Sequence, residues 1–378
     1  MSRRELSKEF LLMKKLIREY YSKKPLEEPI YIHKREIAVQ SLEDGVYIRH
    51  LSFPSLAVLY NYILSEKTPV HLYYSSAYYE SPSADKMDMK GWLGSDLIFD
   101  IDADHYPGCD KTLYICISEN KVYEEKVSQC PESGEKPLAY SLLSSRCLDR
   151  AFTDAKKLYS ILKDEFGFKD IVIYFSGNRG FHVKVLDEDA WSLTSDERRE
   201  IATYISLEGF ELHRIFPPIG KREPYILLSQ REYGLRKRLL KYVVEKNIGV
   251  KTGAFIKVPV DEVEEIINDL RIAIDAVVTM DISRLSRFGN SINGKSGLIV
   301  KKININSFSR FDFLEYCPWE GIVRIKPLID ISGLLVFDNV VNLKKGLAFD
   351  IDACLGLYLV FKGLARLVNI DRVGVRNV

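Results

Sequence analysis

The sequence lacks a long apolar run, and it lacks an excess of charge of one sign. No stretch of its 378 residues approaches the roughly 18 to 20 consecutive apolar residues that a membrane-spanning helix needs. Residues 1–10 alternate charged with apolar side chains and contain no signal-peptide core. Lys and Arg number 54 and Asp and Glu 53, so the net charge of +1 excludes a histone-like polycation and indicates no partner. We therefore expect a cytoplasmic protein without membrane contact.

Cysteine and glutamine are also scarce. The six cysteines are too few for a disulfide scaffold, and we expect them to stay reduced in the cytoplasm. Glutamine occurs three times whereas Lys, Arg and Glu are abundant, which resembles the composition of a thermophile's protein. Hydrophobic residues at 46% and charged residues at 28% are ordinary for a folded chain and argue against disorder.

Hydrophobic patterns divide the chain into short strands and longer helices. Helical periodicity is present at 4–22 and 147–166, and β-rich apolar runs are present at 97–102 and 171–175. From Ser195, which we interpret as a helix N-cap, the pattern becomes mostly helical.

The length of the chain allows two domains or one elaborated domain. We predict an α+β fold in which 1–190 and 276–378 form the core. Between these parts we predict a mostly helical insertion at 191–275. Residues 105–147 are rich in Cys, Gly and Pro without periodicity, which indicates an excursion from the core.

The first chemical motif is a pair of acids, Asp100 and Asp102, at the end of the strand 97–102. Side chains two apart on a strand leave the same face, so both carboxylates could bind one divalent cation such as Mg²⁺ or Mn²⁺. The alternative is a strand end with solvated acids, because D-x-D is a common string. The flanking Phe99 and Ile101 favour a metal site, since acids have few structural reasons to interrupt an apolar run.

The string Phe-Asp-Ile-Asp-Ala occurs again at 349–353 and tests how specific the motif is. This copy leads into the apolar run 354–361, which is typical of a helix start. Side chains two apart on a helix point about 200° apart and cannot chelate one ion. We therefore interpret Asp350 and Asp352 as acids stabilised by a helix N-terminus.

A glycine-rich turn follows the strand 171–175 and reads Ser176-Gly-Asn-Arg179-Gly-Phe-His182. Two glycines permit a tight turn and close approach of a ligand. The hydroxyl of Ser176, the guanidinium of Arg179 and the imidazole of His182 could then bind a triphosphate. A hairpin with a salt-bridged arginine is the alternative. A Ser–His hydrolase is poorly supported, because the chain has no G-x-S-x-G elbow.

The segment 281–302 carries five basic residues and one acid, a local charge of +4 in a nearly neutral chain. Asp281 could complete a metal site from a distant part of the chain, while Arg287 and Lys295 neutralise phosphates. Residues 289–296 match the P-loop string G-x-x-x-x-G-K-S. A strand-like run follows where a P-loop needs a helix, so we reject a P-loop.

These three motifs, in this order, resemble the small catalytic subunit of archaeal and eukaryotic DNA primase. That family carries a D-I-D strand, an S-G-x-R-G-x-H turn and a D-x-x-R-L-x-R block that leads into N-S-x-H-G-K-S-G. Arg49-His-Leu-Ser-Phe53 and Tyr74-Ser-Ser-Ala77 further resemble N-terminal blocks of the archaeal members. The resemblance extends over residues 30–305 and is weak beyond them.

The resemblance implies a primase-polymerase core of mixed sheets flanked by helices, which extends nucleotides on a single-stranded DNA template. It assigns Asp100, Asp102 and Asp281 to two Mg²⁺ or Mn²⁺ ions, so no protein nucleophile is required. It assigns nucleotide binding to six further side chains, which are Ser176, Arg179, His182, Arg287, Asn293 and Lys295.

Two departures from the family pattern concern the nucleotide and a structural zinc ion. Asn293 stands where the family has His, and an amide cannot carry the charge of an imidazolium, so we expect weaker nucleotide binding rather than inactivity. Members often bind zinc in the excursion at 105–147, and here Zn²⁺ could be held by His105, Cys109, Cys116 and Cys130. A zinc-free loop with free thiols is the alternative, because C-x-x-C is absent.

The resemblance also implies a heterodimer with the large primase subunit, with single-stranded DNA and nucleoside triphosphates as substrates, near the nucleoid. A nearly neutral chain fits a subunit that borrows template affinity from its partner. Our leading hypothesis is synthesis of RNA primers, with DNA as a further product. The alternatives are a repair-type primase-polymerase and a weakly active or inactive scaffold derived from a primase. The intact acids favour an enzyme, and Asn293 mildly favours the scaffold.

Overall fold

The computed structural model describes residues 8–209 and 211–376. Within these ranges no helix combines the length and the apolarity that a membrane span requires. The helix predicted at 4–22 begins at Lys8 in the described part, and residues 4–7 lie outside it. The described helices are α1 (Lys8–Ser22), α2 (Leu56–Ser65), α3 (Ser145–Asp164), α4 (Ser195–Ser206), α5 (Leu212–Ile215), α6 (Gly234–Lys246), α7 (Val260–Leu270), α8 (Ala276–Met280) and α9 (Ala353–Phe361).

The strands are mostly short and pair antiparallel. In chain order they are β1 (Ile37–Ser41), β2 (Tyr47–Leu51), β3 (Pro69–Ser75), β4 (Ala77–Tyr79), β5 (Trp92–Ser95), β6 (Leu97–Asp102), β7 (Thr112–Cys116), β8 (Lys121–Tyr123), β9 (Leu138–Ser141), β10 (Ile171–Phe175), β11 (Gly180–Val185), β12 (Tyr225–Ser229), β13 (Val250–Thr252), β14 (Phe255–Pro259), β15 (Leu285–Arg287), β16 (Lys301–Ile303), β17 (Trp319–Pro327), β18 (Ile331–Val336), β19 (Asn339–Leu343), β20 (Phe349–Asp352) and β21 (Ala365–Val375). The predicted strands at 97–102 and 171–175 are β6 and β10, and the mixed α+β fold is confirmed.

The central sheet has the strand order β16-β10-β11-β6. Leu97, Phe99 and Ile101 of β6 are fully buried, because α3 packs over this face of the sheet. The rings of Phe152 in α3 and Phe181 in β11 lie 5.4 Å apart on that face. Side chains alternate along a strand, so Asp100 and Asp102 leave by the opposite face.

A second four-stranded sheet, β15-β3-β1-β2, brings the basic segment to that opposite face. Strand β15 pairs with β3 so that Arg287 lies opposite Tyr73. The short helix α8 precedes β15 and packs on β6. The segment that follows β15 continues into β16, which returns to the central sheet beside β10. Residues about 180 positions apart in sequence thereby meet at one place.

The predicted insertion contains a hydrophobic core of its own, formed by buried residues between Leu207 and Ile267. Helices α6 and α7 pack there on a sheet of order β12-β14-β13. That sheet was not predicted from the helical periodicity, because its strands are only three to five residues long. The separate core supports an inserted unit, and the boundaries at 191 and 275 remain a prediction.

The expectation of six reduced cysteines is wrong, because all six form disulfides: Cys109–Cys147, Cys116–Cys130 and Cys317–Cys354. The paired Cα atoms lie 5.7 to 6.0 Å apart, within the range that a disulfide spans. Intracellular proteins of hyperthermophiles are the known exception to the rule of reduced cytosolic thiols.

The predicted zinc site also fails, because its four ligands do not converge. Cys109 is bonded to Cys147, and Cys116 is bonded to Cys130, so these sulfurs are not the thiolates that zinc binds. His105 lies instead beside Asp102 and Asp104. Glu119 lies within 4.8 Å of the Cys116–Cys130 sulfurs, a set that could hold an ion only after reduction.

Candidate active site

A polar cavity of about 360 Å³ is lined by residues of both four-stranded sheets. In the described part of the chain it is lined by nearly all of the side chains predicted to bind metal or nucleotide. These are Asp100, Asp102, Ser176, Arg179, His182, Arg287, Asn293 and Lys295. Asp281 is missing from the described residues of the lining, and Asp275 is present in it.

The pairing of β6 with β11 sets the geometry of the two acids. Asp100 lies opposite His182, and Asp102 lies opposite Gly180. The His182 Nε2 atom is 3.5 Å from Asp100 Oδ1. A side chain at position 180 would collide with the carbonyl oxygen of Ile101, so glycine is required where the turn approaches the acids.

The negative charges of Asp100 and Asp102 repel each other in this cavity. Burial raises the pKa of Asp100 to about 6, and the nearby Asp275 adds to that shift. Burial also raises the pKa of Asp102 to about 6, and Asp100 adds to it. A cation bound between these carboxylates would offset both the desolvation and the repulsion.

Asp275, and not Asp281, is the third acid at the cavity. Asp275 is the N-cap of α8, where its Oδ1 accepts hydrogen bonds from the N–H groups of Val277 and Val278 at 3.0 and 3.4 Å. Asp281 follows α8, and its Oδ1 accepts from the backbone and the hydroxyl of Ser283 at 2.9 and 2.8 Å. The prediction that Asp281 completes the site is therefore corrected, because the helix places the two acids at its opposite ends. The sequence signal for Asp275 was that of an N-cap before the apolar residues 276–278.

Arg179 is bound to acids in this structure. Its guanidinium pairs with Asp104 Oδ2 at 2.6 Å and Asp102 Oδ2 at 3.0 Å, and its side chain is 41% exposed. Its backbone carbonyl accepts a hydrogen bond from Ala103 N–H at 2.8 Å. An exposed guanidinium can exchange partners, so Arg179 could release Asp102 when an anion enters.

Asn293 connects the two loops that close the cavity. Its Nδ2 donates to the carbonyl of Ser176 at 2.9 Å, and its Oδ1 accepts from the N–H of Lys295 at 3.0 Å. A side chain at Gly177, whose φ is +76°, would clash with the Asn293 Cβ atom. The amide of Asn293 is therefore engaged by backbone groups on both sides.

His71 was missed in the sequence, because β-propensity is its only local feature. Its Nδ1 lies 2.6 Å from an Arg287 nitrogen and 3.2 Å from the N–H of Gly294. Both neighbours can only donate, so Nδ1 is unprotonated. Burial, together with Arg287 and Lys295, lowers the pKa of His71 to about 3, in keeping with a neutral ring. The neutral ring therefore orients Arg287 without adding charge.

Acidic and basic side chains share the lining of the cavity. Burial and the neighbouring Arg287 and Arg179 lower the pKa of Lys295, which makes no ion pair with an acid among residues 8–209 and 211–376. The carboxylates can hold divalent cations, and Lys295 and Arg287 can hold phosphates. The arrangement suits a metal-bound triphosphate.

Comparison with known proteins agrees with this geometry. Residues 140–305 match the family model described as DNA primase small subunit. The chain is 58% identical to the DNA primase small subunit PriS of Staphylothermus marinus, over 100% of both chains. It is 36% identical to that of Saccharolobus solfataricus, over 93% of this chain and 94% of the relative.

A solved structure, the polymerase domain from Mycobacterium tuberculosis Ligase D in complex with DNA, is similar at a lower level. It covers 80% of this chain and 86% of its own, with 11% identity and a TM-score of 0.39, too low to support an argument. The relatives at 58% and 36% identity span nearly the whole chain and are decisive. This chain therefore belongs to the archaeal family of DNA primase small subunits, which are nucleotidyltransferases of DNA replication.

Proposed function

We propose that the cavity is the site where this chain joins ribonucleotides into primers on a single-stranded DNA template. The observation that carries the proposal is the convergence of three acids, Asp100, Asp102 and Asp275, and two basic residues, Arg287 and Lys295, in the lining of one cavity. A metal-bound triphosphate presents both complementary charges, because its metal ions suit the acids and its phosphate oxygens suit the basic residues.

The three acids fit a divalent cation of the Mg²⁺ or Mn²⁺ kind. The Oδ1 atom of Asp100 is buried and accepts no hydrogen bond within the described ranges, and the raised pKa values of Asp100 and Asp102 reflect uncompensated burial. Oxygen ligands of this kind suit hard cations. Bound cations would supply charge stabilisation to the primer hydroxyl and to the leaving pyrophosphate.

The basic residues hold the triphosphate and keep its reacting phosphorus in place. Lys295 and Arg287 attract the phosphate oxygens, and Arg179 exchanges Asp102 for the nucleotide. Burial, followed by the nearby Lys184, Arg287 and Arg284, lowers the pKa of His182 to about 3, so its ring stays neutral and offers one N–H donor. Positioning and electrostatics of this kind suffice for phosphoryl transfer, since no covalent protein intermediate is needed.

We further propose that the chain works in a heterodimer with a large primase subunit, in the cytoplasm beside the nucleoid. The net charge of +1 supports this, because a chain that binds template alone usually has a strongly basic face. The substitution of His by Asn293 supports weaker nucleotide binding than in relatives with the imidazole. Production of DNA in addition to RNA is part of the same proposal.

The test is primer synthesis on a single-stranded template with Mg²⁺ or Mn²⁺, with and without the co-purified large subunit. We expect metal-dependent products from the wild type and none from Asp100→Asn or Asp102→Asn. The repeated string at 349–353 offers matched controls. Asp350 pairs with Arg324 and Asp352 caps α9, away from the cavity, so Asp350→Asn and Asp352→Asn should stay active. Absence of products from the wild type with its partner would contradict the proposal.

A further inference from the structure

The C-terminal part of the chain reaches the nucleotide-binding loops. The indole Nε1 of Trp319, the first residue of β17, donates to the carbonyl of Gly297 at 3.0 Å. Gly297 has a φ of +74°, and a side chain there would collide with the ring of Phe361, the last residue of α9. The loop that carries Lys295 is thus held from behind by β17 and α9.

Lys362, the residue after α9, continues this contact to the other loop. Its Nζ donates to Asn178 Oδ1 at 2.9 Å, and the Tyr358 ring lies 5.0 Å from the ammonium. Asn178 lies between Ser176 and Arg179 and lines the cavity. The ammonium is therefore one side chain away from the space where the triphosphate is proposed to bind.

The charge around Lys362 lacks a matching acid. Within residues 8–209 and 211–376, Lys362 makes no ion pair with a carboxylate, and its hydrogen-bond acceptor Asn178 is neutral. Burial, followed by Lys295 and Arg179, lowers the pKa of Lys362 to about 8. Lys362, Lys295 and Arg179 are close enough to repel one another, so a multiply charged anion bound beside them would stabilise all three.

We propose that Lys362 is a further residue of the nucleotide site, which holds Asn178 at the cavity rim and adds its charge to those of Arg179, Arg287 and Lys295 for the phosphates of the incoming nucleotide. This inference rests on the proposed function, because the anion is the nucleoside triphosphate. It also gives a role to residues beyond 305, in which the sequence carries no recognisable motif and which lie outside the matched family model.

The test compares Lys362→Met, which removes the charge and keeps the length, with Lys362→Arg, which keeps the charge. We measure KM and kcat for ATP in primer extension, and inhibition by inorganic tripolyphosphate, which is the phosphate chain alone. We expect Lys362→Met to raise KM and the tripolyphosphate inhibition constant by the same factor, roughly tenfold, with kcat within about twofold. Lys362→Arg should restore most of both. Lys344→Met, at an exposed lysine of the same C-terminal part, is the matched control.

Melting temperatures separate binding from folding. A Lys362→Met protein that melts like the wild type and loses affinity for tripolyphosphate supports the inference. An unchanged inhibition constant overturns it. A raised KM that comes with a lowered melting temperature, and that Lys362→Arg does not restore, also overturns it. Asn178→Ala removes the hydrogen bond without removing charge, and we expect a smaller rise in KM.

If the wild type neither extends primers nor binds ATP, the proposed function itself fails. That outcome is visible in the same assay before any variant is compared.

Discussion

The backbone N–H of Asp275 donates a hydrogen bond to the carbonyl oxygen of Asp100 at 3.1 Å, which fixes the start of α8 against the strand that carries the acid pair. We therefore predict that Asp275→Asn reduces primer synthesis at least 100-fold, because a ligand charge is lost while the cap oxygen is kept. Asp281→Asn should stay within about fivefold of wild type, since Asp281 contacts Ser283. Steady-state synthesis by both variants is the measurement. The reverse order of losses would restore Asp281 as the third acid.

Asn293 provides a second prediction about the nucleotide. Asn293→Asp keeps the shape and the acceptor for the Lys295 N–H, but it removes the donor to Ser176 and adds a negative charge in the lining of the cavity. We expect KM for the nucleotide to rise about 10- to 100-fold with little change in kcat, because the new negative charge repels the triphosphate. Kinetics with varied ATP measure this split. A fall in kcat alone would instead indicate that Asn293 acts in the chemical step.

The motif strands and the acid pair could be predicted because both depend on local periodicity. Strand β6 alternates buried Leu97, Phe99 and Ile101 with Asp100 and Asp102, and a period of two fixes the face without knowledge of the partner strands. The interpretation of the second copy of that string, at 349–353, is correct for one of its two acids. Asp352 caps α9 as expected, whereas Asp350 lies on β20, because the strand extends to the cap.

The predictions that failed concerned contacts between segments distant in sequence, or the position of a helix start to within one residue. The N-cap of α4 is Thr194 and not Ser195, and the capping box is completed by Glu197. Two of the three disulfides, and the contacts of His71 with Arg287 and of Lys362 with Asn178, join segments more than 30 residues apart. No local pattern encodes such contacts.

A buried ion pair anchors the strand that leads into the acid pair. Arg35 and Asp96 are 2.7 Å apart with side chains 1% and 0% exposed, and Asp96 also accepts from the hydroxyl of Tyr78. We predict that Asp96→Asn lowers the free energy of unfolding by about 3–5 kcal/mol, because it leaves a buried guanidinium without its counter-charge. Denaturant unfolding is the measurement.

The exposed pair Lys121 and Glu132 is the control for Asp96→Asn. Lys121→Met should change the free energy of unfolding by less than about 1 kcal/mol, since exposed pairs are solvated in both states. A similarly small effect of Asp96→Asn would show that the core relaxes around the uncompensated Arg35.

The three disulfides lead to a prediction that thiol titration and metal analysis can test. Thiol titration of the denatured, unreduced protein should find no free thiol, and metal analysis should find no stoichiometric zinc. The Cys317–Cys354 bond closes a loop of 37 residues behind the nucleotide loops, so Cys317→Ala/Cys354→Ala should lower the free energy of unfolding by about 3–4 kcal/mol. Six titratable thiols in protein purified anaerobically would mean that the bonds form only on exposure to oxidant.

Glu43 predicts how stability depends on pH. Burial opposes its charged form, but hydrogen bonds from Lys14, Thr68 and Ser41 outweigh burial and lower its pKa from 4.5 to about 2. The Lys14 Nζ atom lies 2.9 Å from its carboxylate. Between these two pH values the folded state binds fewer protons than the unfolded state, so the free energy of unfolding rises with pH. The contribution of Glu43 is complete above about pH 4.5 and is lost as the pH falls towards 2.

The measurement is denaturant unfolding of wild type and Glu43→Gln at pH 7 and at pH 3. We expect a difference of about 1–3 kcal/mol at pH 7, because a charged acceptor is replaced by a neutral one, and a clearly smaller difference at pH 3. Glu245→Gln, at an exposed helix position, should show no difference at either pH. A Glu43→Gln deficit of equal size at both pH values would mean that packing of the side chain, and not its charge, stabilises this turn.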